Sequence, residues 1–457
     1  MTEISQAKAK FVLLSMIILL PQYFHAQEWS AWKYRLPIRI DNSDNTGVAT
    51  LPIDVDFTLK STECGNPEAE IRLVRQSPGG RIIEVPFQLS RLRNWTKDST
   101  PPKGEPTVNG RLTFFAESET PGEYFILHGN PKAARPVYGT DLRVSGTGPA
   151  WTIENSGMKV ELRGGDAVPA ADLHDYFGNC GQIASVTLKS RPESPLTNRN
   201  HCLHWNPGIL IPGRGWLNAH AWDPPEQYEI ETGPLYVEIR RWGPLPSLPE
   251  AELAITYRIF SNRTYIWCGS RIQAKEDIGI VSLRTNEIVF DEGFFSRVAW
   301  DDRNRFHDRP LNPMLMANGH GDILRLPVDT RLLVAYSPEK RIGTASILIE
   351  NSAIGPFGEP APRFHSATHI VKGNAQIGSG GLFFWFRTYI DYGVDWDRKQ
   401  RLVIPAGAVY ADQDLYYFYD IDKAGNTAGA IRLAKEIEAR RHMDIKIGPF
   451  PFARDFQ

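Results

Sequence analysis

Short stretches of alternating polarity, broken by turn residues, are the feature that most constrains how this chain can fold. In LPIDVDF, Ile53, Val55 and Phe57 fall on one side of an extended chain, and the two aspartates between them fall on the other. The pattern recurs in YRLPIRI, AEIRLV, GRLTFF and GEYFILHG, up to about residue 129. We therefore predict an Ig-like β-sandwich over residues 27–140.

A segment without apolar periodicity follows this first unit. Residues 130–150, NPKAARPVYGTDLRVSGTGPA, are rich in Pro, Gly and small residues, as is typical of a linker. Longer and more numerous strands come after it, which predicts a larger β domain over residues 150–420. In NTAGAIRLAKEIEARRHM, apolar residues recur at helical spacing after a capping Asn426 or Thr427, so residues 421–457 should form a C-terminal helix and tail.

The first 26 residues have the pattern of a secretory signal. Lys8 and Lys10 precede a short apolar stretch, and Ala26 offers a cleavage position. That stretch holds about ten apolar residues, whereas a bilayer span needs roughly 20. We expect a secreted or periplasmic protein with no stable membrane insertion after the signal is removed. Phe24 departs from the small-residue rule at the cleavage site, so uncleaved anchoring stays open.

Export would permit disulfide bonds between the cysteines that follow the signal. Cys180 with Cys202 is the favoured pair because it would close a loop around the most unusual segment of the chain. The alternative is a set of isolated buried thiols, to which Cys64 and Cys268 would also belong.

Composition narrows the class of ligand. The chain has 51 basic against 53 acidic residues, which argues against nucleic acid as a partner. Its 12 Trp, 16 Tyr and 22 Phe suit a β protein whose aromatic side chains line flat binding faces. A polysaccharide or oligosaccharide is therefore the expected partner.

Several strands of the second domain carry aromatic and charged residues on one face. One such face in PLYVEIRRW holds Arg240 and Trp242, and one in LFFWFRTYI holds Trp385, Arg387 and Tyr389. The segment RFHSATHI adds His365. These faces either line a groove or pack against a second sheet or the N-terminal domain, and the sequence favours neither.

The segment from Asp172 to Tyr228 is the richest in chemistry-bearing residues. It concentrates His and Trp residues among Gly and Pro, as active-site loops do: His201, His204, His220, Trp205, Trp216 and Trp222. The alternative is a structural loop whose histidines are satisfied core donors. Zinc is a minority interpretation, and no cofactor is predicted. Calcium held by Asp301, Asp302 and Asp308 is a further candidate, although a solvated turn explains that run more simply.

Two kinds of sugar chemistry fit these residues. A uronate lyase needs a cation on the carboxylate, a base and an acid, for which Arg240 or Arg387, the three histidines and Tyr257 are candidates. Arg258 is a further clamp and Tyr389 a further acid. A hydrolase needs two carboxyl groups instead, and its candidates are Asp223, Glu226, Glu229, Glu231 and Glu238. The predicted sugar-binding residues are Trp205, Trp222, Trp242, Trp385, Tyr389 and His365.

The order of strands from WTIENSGMKVEL through GQIASVTL, GPLYVEIRRWG and AELAITYRIFSNRTYIWCGSRIQA resembles the galactose-mutarotase-like β-supersandwich found in polysaccharide lyases and related exported enzymes. The resemblance covers roughly residues 150–420 and carries no diagnostic motif. It implies a large antiparallel supersandwich with sugar on a concave sheet. With the patterns above, we expect an all-β chain: an Ig-like sandwich, this supersandwich and one C-terminal helix. We therefore expect a polysaccharide lyase acting on a uronate-containing glycan. The alternatives are a glycoside hydrolase, a sugar epimerase or a non-catalytic carbohydrate-binding protein.

Overall fold

The computed structural model describes most of the chain after residue 28. The described residues are 29–41, 51–77, 79–94, 106–116, 123–164, 181–197, 203–205, 207–219, 227–245, 247–291, 293–301, 305–311, 323–372, 382–392, 401–441 and 443–448. The predicted signal segment lies outside them, so export stays a prediction. None of the described helices is both long enough and apolar enough to cross a bilayer.

The N-terminal strands follow the alternating stretches of the sequence. After a 3-10 turn (Trp29–Ala31) they are β1 (Tyr34–Asp41), β2 (Pro52–Lys60), β3 (Arg72–Gln76), β4 (Ile82–Glu84), β5 (Phe87–Asn94), β6 (Thr107–Phe115) and β7 (Glu123–His128), with helix α1 (Pro67–Glu70) between β2 and β3.

The first part of the larger β region contains mostly short strands before the long central ones. They are β8 (Arg143–Thr147), β9 (Ala150–Glu154), β10 (Met158–Leu162), β11 (Ile183–Leu188), β12 (Gly208–Ile211), β13 (Gly215–Asn218), β14 (Gln227–Thr232), β15 (Tyr236–Leu245), β16 (Leu248–Phe260), β17 (Tyr265–Ala274), β18 (Ile278–Ile280) and β19 (Ser282–Asp291).

The rest of the chain adds further strands and the C-terminal helices. They are β20 (Arg297–Asp301), β21 (Phe306–Pro310), β22 (Ile323–Leu326), β23 (Leu332–Ser337), β24 (Ile342–Ile354), β25 (Ala367–Lys372), β26 (Leu382–Asp391), β27 (Leu402–Ile404), β28 (Val409–Asp420), α2 (Ile421–Ala424), α3 (Ala428–Arg441) and β29 (Asp444–Ile447).

Two small antiparallel sheets form the Ig-like sandwich. One has the strand order β2-β6-β5, and the other β29-β1-β7-β3-β4. Ile53, Val55 and Phe57 are buried in the core between them, as the alternation predicts. The C-terminal strand β29 pairs with β1, so the end of the chain completes the N-terminal sandwich.

Two large antiparallel sheets form the supersandwich. The nine-stranded sheet has the order β14-β15-β16-β17-β28-β24-β23-β20-β21, and the six-stranded sheet has the order β13-β12-β19-β26-β25-β22. A continuous apolar core contains Ile255, Ile272 and Phe290, which come from strands of both sheets. This architecture confirms the predicted fold class, including its single long C-terminal helix.

Helix α3 lies on the outer face of the nine-stranded sheet. Ala430, Leu433 and Ile437 are buried at helical spacing and pack with Leu332 and Ile347 of that sheet. Arg440 and Arg441 occupy its last turn, where positive charge suits the exposed carbonyl groups.

A buried ion triad joins the two parts of the molecule. Arg258 of β16 donates from Nη1 to Oδ2 of Asp54 in β2, at 2.7 Å, and also bonds Glu238 of β15. Glu238 is 1% exposed and Arg258 is 5% exposed. The face of β15 that holds Tyr236 and Glu238 thus packs toward the N-terminal sandwich, which was one of the two interpretations left open by the sequence.

We predict that Arg258→Met lowers the free energy of unfolding in urea by about 3–5 kcal/mol, because it removes the buried cation that bonds both Asp54 and Glu238. Arg240→Met is the matched control and should cost at most about 1 kcal/mol, since Arg240 is half-exposed. Equal losses in the two variants would contradict the role given to the triad.

The same triad predicts a dependence of stability on pH. Burial raises the pKa of Asp54, but the charge and hydrogen bond of Arg258 outweigh it, so the pKa is lowered. A carboxyl group whose pKa is lower in the folded than in the unfolded protein stabilises the fold above its unfolded pKa of about 4. This contribution is lost as the pH falls from there through the folded pKa. The free energies of unfolding of wild type and Arg258→Met, measured by urea denaturation, should therefore converge as the pH falls below about 4.

Candidate functional site

Two predicted catalytic residues, His204 and Tyr257, lie together in the closed core between the large sheets. The Nδ1 atom of His204 is 2.7 Å from the hydroxyl oxygen of Tyr257, which donates to Oε1 of Gln182 at 2.7 Å. Both side chains are 0% exposed. Burial and the charge of Arg241 lower the pKa of His204 to about 3. His204 is therefore a neutral core residue among hydrogen-bond partners, which was the structural alternative for this loop.

The predicted groove residues of β26 also face the core. Nη1 of Arg387 donates to Oδ2 of Asp412 at 2.8 Å and to Oδ2 of Asp414 at 3.1 Å. Tyr389 donates to a backbone carbonyl at 2.7 Å, and Trp385 is 1% exposed. The alternation placed these side chains on one face correctly. That face is the interior one, however, so they line no groove.

Arg240 and Trp242 lie on the opposite face of the nine-stranded sheet from Tyr257. The guanidinium carbon of Arg240 is 5.9 Å from the Trp242 ring centre, and the group pairs with Glu229 and Glu238. The predicted catalytic group is thus divided between two sides of one sheet. His201, His220 and Trp222 fall outside the described residues, as do Cys180 and Cys202, so those predictions are untested.

The outer face of the six-stranded sheet gathers a different set of residues, which we call the outer aromatic face. Its members are aromatic and ionisable side chains from β13, β19, β25 and β26 and from the segment before β12: Trp205, Trp216, Arg284, Glu287, His369, Phe384, Phe386 and Asp391. Of the predicted sugar-binding residues, Trp205 belongs to it.

Arg284 occupies the centre of the outer aromatic face. Its guanidinium carbon lies 4.1 Å from the ring centre of Trp216 and 3.9 Å from that of Phe386. Nη1 is 3.4 Å from Oε2 of Glu287. Aromatic contacts with a cation are attractive, and the planar guanidinium stacks on rings more readily than an ammonium group does. The result is a layered arrangement in which charge and flat apolar surface alternate.

His369 lies beside this arrangement and stacks on Phe386, with 4.8 Å between ring centres. Its Nε2 atom is 3.2 Å from Oγ1 of Thr388 and 3.5 Å from Oδ2 of Asp391. Thr388 donates its own proton to a backbone carbonyl, so both neighbours of Nε2 accept, which assigns the imidazole proton to Nε2. Burial lowers the pKa of His369 to about 4, although Asp391 opposes this. The imidazole is therefore neutral near pH 7, with Nδ1 as its basic atom.

Two β-bulges between β19 and β26 position these side chains. The register shifts between Leu283 and Arg284 and again between Thr285 and Ile288. Asn286, inside the second bulge, has a φ of 62°, a left-handed conformation that is uncommon outside glycine. Bulges redirect side chains and are frequent beside active sites. Here they place Arg284 and Glu287 on the side of the six-stranded sheet away from the core, where Arg284 is partly exposed and Glu287 is 4% exposed.

Sequence reasoning missed Arg284, Glu287 and Asp391. The bulges interrupt the period-two alternation that would have placed them with Phe386 on one face. His365 is exposed and adjacent to this region, since its backbone carbonyl accepts from Arg325, the neighbour of His369 on β22.

The described residues include no group of three or more His, Cys, Asp or Glu side chains arranged to hold a metal ion. Asp308 accepts from Arg297 at 2.8 Å and from Tyr336 at 2.7 Å, so it is already engaged. Asp302 lies outside the described residues, and calcium stays untested. Cys64 and Cys268 are buried free thiols.

No protein-family model matches the chain, and no curated protein matches its sequence. Among solved structures it is similar to a glycosyl hydrolase family 38 protein from Enterococcus faecalis, with a TM-score of 0.49 and 10% identity, covering 91% of this chain and 47% of that one. An alpha-mannosidase from Enterococcus faecalis V583 gives a TM-score of 0.49 and 10% identity, covering 91% and 46%. Galactose 1-epimerase from Lactobacillus acidophilus NCFM gives 0.36 and 10%, covering 62% and 99%. The chain therefore spans about half the length of the two hydrolase chains.

The prediction of a polysaccharide lyase is wrong. One of its candidate bases, His204, and its candidate acid Tyr257 are sealed in the core, and its clamps Arg240 and Arg387 lie on different sides of the nine-stranded sheet. The similar solved structures are named as hydrolases and an epimerase.

The buried pair Asp412 and Asp414 yields a prediction about stability. Burial raises the pKa of Asp414 to about 8. The positive charge of Arg387 lowers this pKa but offsets burial only in part, and the negative charge of Asp412 raises it further. A carboxyl with a raised pKa stabilises the fold fully below its unfolded pKa of about 4, and this contribution is lost as pH rises toward 8. Asp414→Asn mimics the protonated form, so its free energy of unfolding should exceed that of wild type at pH 8.

Asp412→Asn is the matched control for this experiment. It removes the carboxylate that neutralises Arg387 and should lose about 3–5 kcal/mol in urea denaturation at pH 7. If Asp414→Asn loses as much as Asp412→Asn at every pH, the assignment of the proton to Asp414 is incorrect.

Proposed function

We propose that this chain is a carbohydrate-active protein whose sugar site is the outer aromatic face. The observation that supports this is the stacking of Arg284 between Trp216 and Phe386, with Glu287 and His369 on the same face. The apolar faces of a sugar ring pack against aromatic rings, while its hydroxyl groups bond to charged side chains beside them.

The reaction that this set of groups suits best is acid–base chemistry at the anomeric carbon, as in an aldose epimerase. Ring opening requires a base for the proton of the anomeric hydroxyl and an acid for the ring oxygen. Nδ1 of His369 would take the proton of the anomeric hydroxyl, and the carboxyl of Glu287, in its protonated form, would give a proton to the ring oxygen. Ring closure from the other side of the carbonyl returns both protons. Arg284, the cation between them and the rings, would stabilise negative charge that develops on the sugar oxygen.

A glycoside hydrolase is the second candidate. Glu287 and Asp391 both lie close enough to Arg284 for their negative charges to raise its pKa. Hydrolysis uses a pair of carboxyl groups, and these two are the candidates. A binding protein without turnover remains the alternative from another class.

The test is a paired assay on the purified chain. Anomer interconversion is followed by polarimetry on a panel of aldoses, and hydrolysis by release of nitrophenol from aryl glycosides. Under the epimerase hypothesis, Glu287→Gln and His369→Ala should each lower kcat by about 100-fold or more. Trp216→Ala should mainly raise KM. Trp242→Ala, an aromatic substitution on the other large sheet, is the control and should leave both constants unchanged.

A pH profile tests His369 as the base. Because burial lowers its pKa to about 4, with Arg284 and Arg325 acting in the same direction, the imidazole stays neutral over most of the acidic range. We expect kcat/KM for anomer interconversion to hold from pH 7 downward and to fall only as pH approaches about 4. A fall in kcat/KM centred near pH 6.5, which is about the pKa of an unperturbed histidine, would contradict this assignment.

A further inference from the structure

A cavity of about 480 Å³ lies against the nine-stranded sheet, whereas the outer aromatic face belongs to the six-stranded sheet. Its walls come from the nine-stranded sheet, from helix α3 and from the residue before β2: Trp267, Leu348, Glu350, Ile437, Arg440 and Leu51. Ligand pockets in proteins typically have volumes of about 300–1,000 Å³, so a monosaccharide-sized molecule fits here.

Among the three arginines of the wall, Arg440 is the one whose charge is poorly compensated. Its Nη1 atom donates to the carbonyl oxygen of Pro52, and its guanidinium lies 5.5 Å from the ring centre of Trp267. Among the described residues, no carboxylate forms an ion pair with it, since Asp54 is held by Arg258. Desolvation lowers its pKa accordingly.

The neighbouring cations differ from Arg440 in this respect. Arg441 pairs with Glu438 at 2.9 Å and also donates to the carbonyl of Ile349 at 3.0 Å. Arg331 pairs with Glu438 as well. Arg440 is partly buried, and the charge of Asp54 offsets its desolvation only in part. A cation shielded from water without an ion pair is costly, so the environment of Arg440 favours an anion that would enter from the cavity.

The lining also offers a hydrogen-bond acceptor and a flat surface. Glu350 is exposed, and the described residues place no cation in an ion pair with it. It follows a register shift in β24 at Ile349, and bulges of this kind redirect side chains. The Trp267 ring provides the apolar wall, and its Nε1 donates to Gln413 at 3.3 Å.

We propose that this cavity binds a small hydroxylated carboxylic acid, the chemical class of the sugar acids. The carboxylate pairs with Arg440, a hydroxyl group donates to Glu350, and the apolar face of the molecule packs on Trp267. A multiply charged anion fits less well because Glu350 and Asp329 also line the cavity. This site is separate from the outer aromatic face and does not depend on the function proposed for it.

The experiment is titration calorimetry on the full chain at fixed ionic strength, with three probes of known chemistry. D-glucuronate has the charge and the hydroxyl groups, D-glucose lacks the charge, and acetate lacks the hydroxyl groups. Glucuronate should bind about tenfold or more tightly than either of the others. Arg440→Gln should remove its advantage over glucose, whereas Arg240→Gln, an arginine on the same sheet but outside the cavity, should not change it.

Two further variants keep the test decisive if Arg440→Gln does not fold. Glu350→Ala alters an exposed side chain and should reduce the advantage of glucuronate over acetate. Trp216→Ala disrupts the outer aromatic face and should leave glucuronate binding intact, which separates the two sites. Glucuronate that binds no better than glucose, or that loses affinity in Trp216→Ala and not in Glu350→Ala, would overturn the proposal.

Discussion

Charged and polar contacts across the core hold the two large sheets in one relative position. Arg387 comes from the six-stranded sheet, and the two aspartates that it contacts, Asp412 and Asp414, come from the nine-stranded sheet. Thr285 donates to Asp412 at 2.8 Å, and Tyr416 bonds Asn286. Hydrophobic attraction has no preferred direction, whereas a buried charge must meet its partner. These contacts therefore restrict how the sheets can be offset.

The same contacts determine what reaches the surface. Thr285 and Asn286 lie in the stretch of β19 where the ladder with β26 is irregular, and their partners anchor that stretch to the core. With the bulge held from inside, Arg284 reaches Phe386 and Trp216 on the other side of the sheet, and Glu287 lies there beside Arg284. The interior network thus positions the outer aromatic face without contributing a side chain to it.

The domain junction follows a related principle. Asp54, on the wet face of a strand in the Ig-like sandwich, meets Arg258 of the large sheet, and helix α3 covers the adjoining surface. Arg258 forms ion pairs with both Asp54 and Glu238, and among the described residues Arg440 forms none. A charge imbalance at the junction is the physical reason to expect a ligand there, whereas complete burial and the hydrogen bonds with Tyr257 and Gln182 are the reason to expect none at His204.

Much of the fold could be predicted because strand periodicity is local. The alternation in LPIDVDF correctly placed Ile53, Val55 and Phe57 in the sandwich core, and the apolar spacing of the C-terminal helix correctly indicated its buried face. Periodicity also grouped Trp385 with Arg387 on one face. What it could not say was whether that face looks toward solvent or toward a second sheet, since either surroundings produce the same pattern of residues.

The sequence by itself determined the fold class, the strands and the side chains that share each face, because these depend on neighbours a few residues apart. Only the tertiary structure decided which faces are interior. It enclosed His204, Tyr257 and Arg387, and it assembled the outer aromatic face from strands far apart in the chain. The physical reason is that burial and ionic pairing are properties of sheets packed together, while a strand alone specifies no more than its two sides.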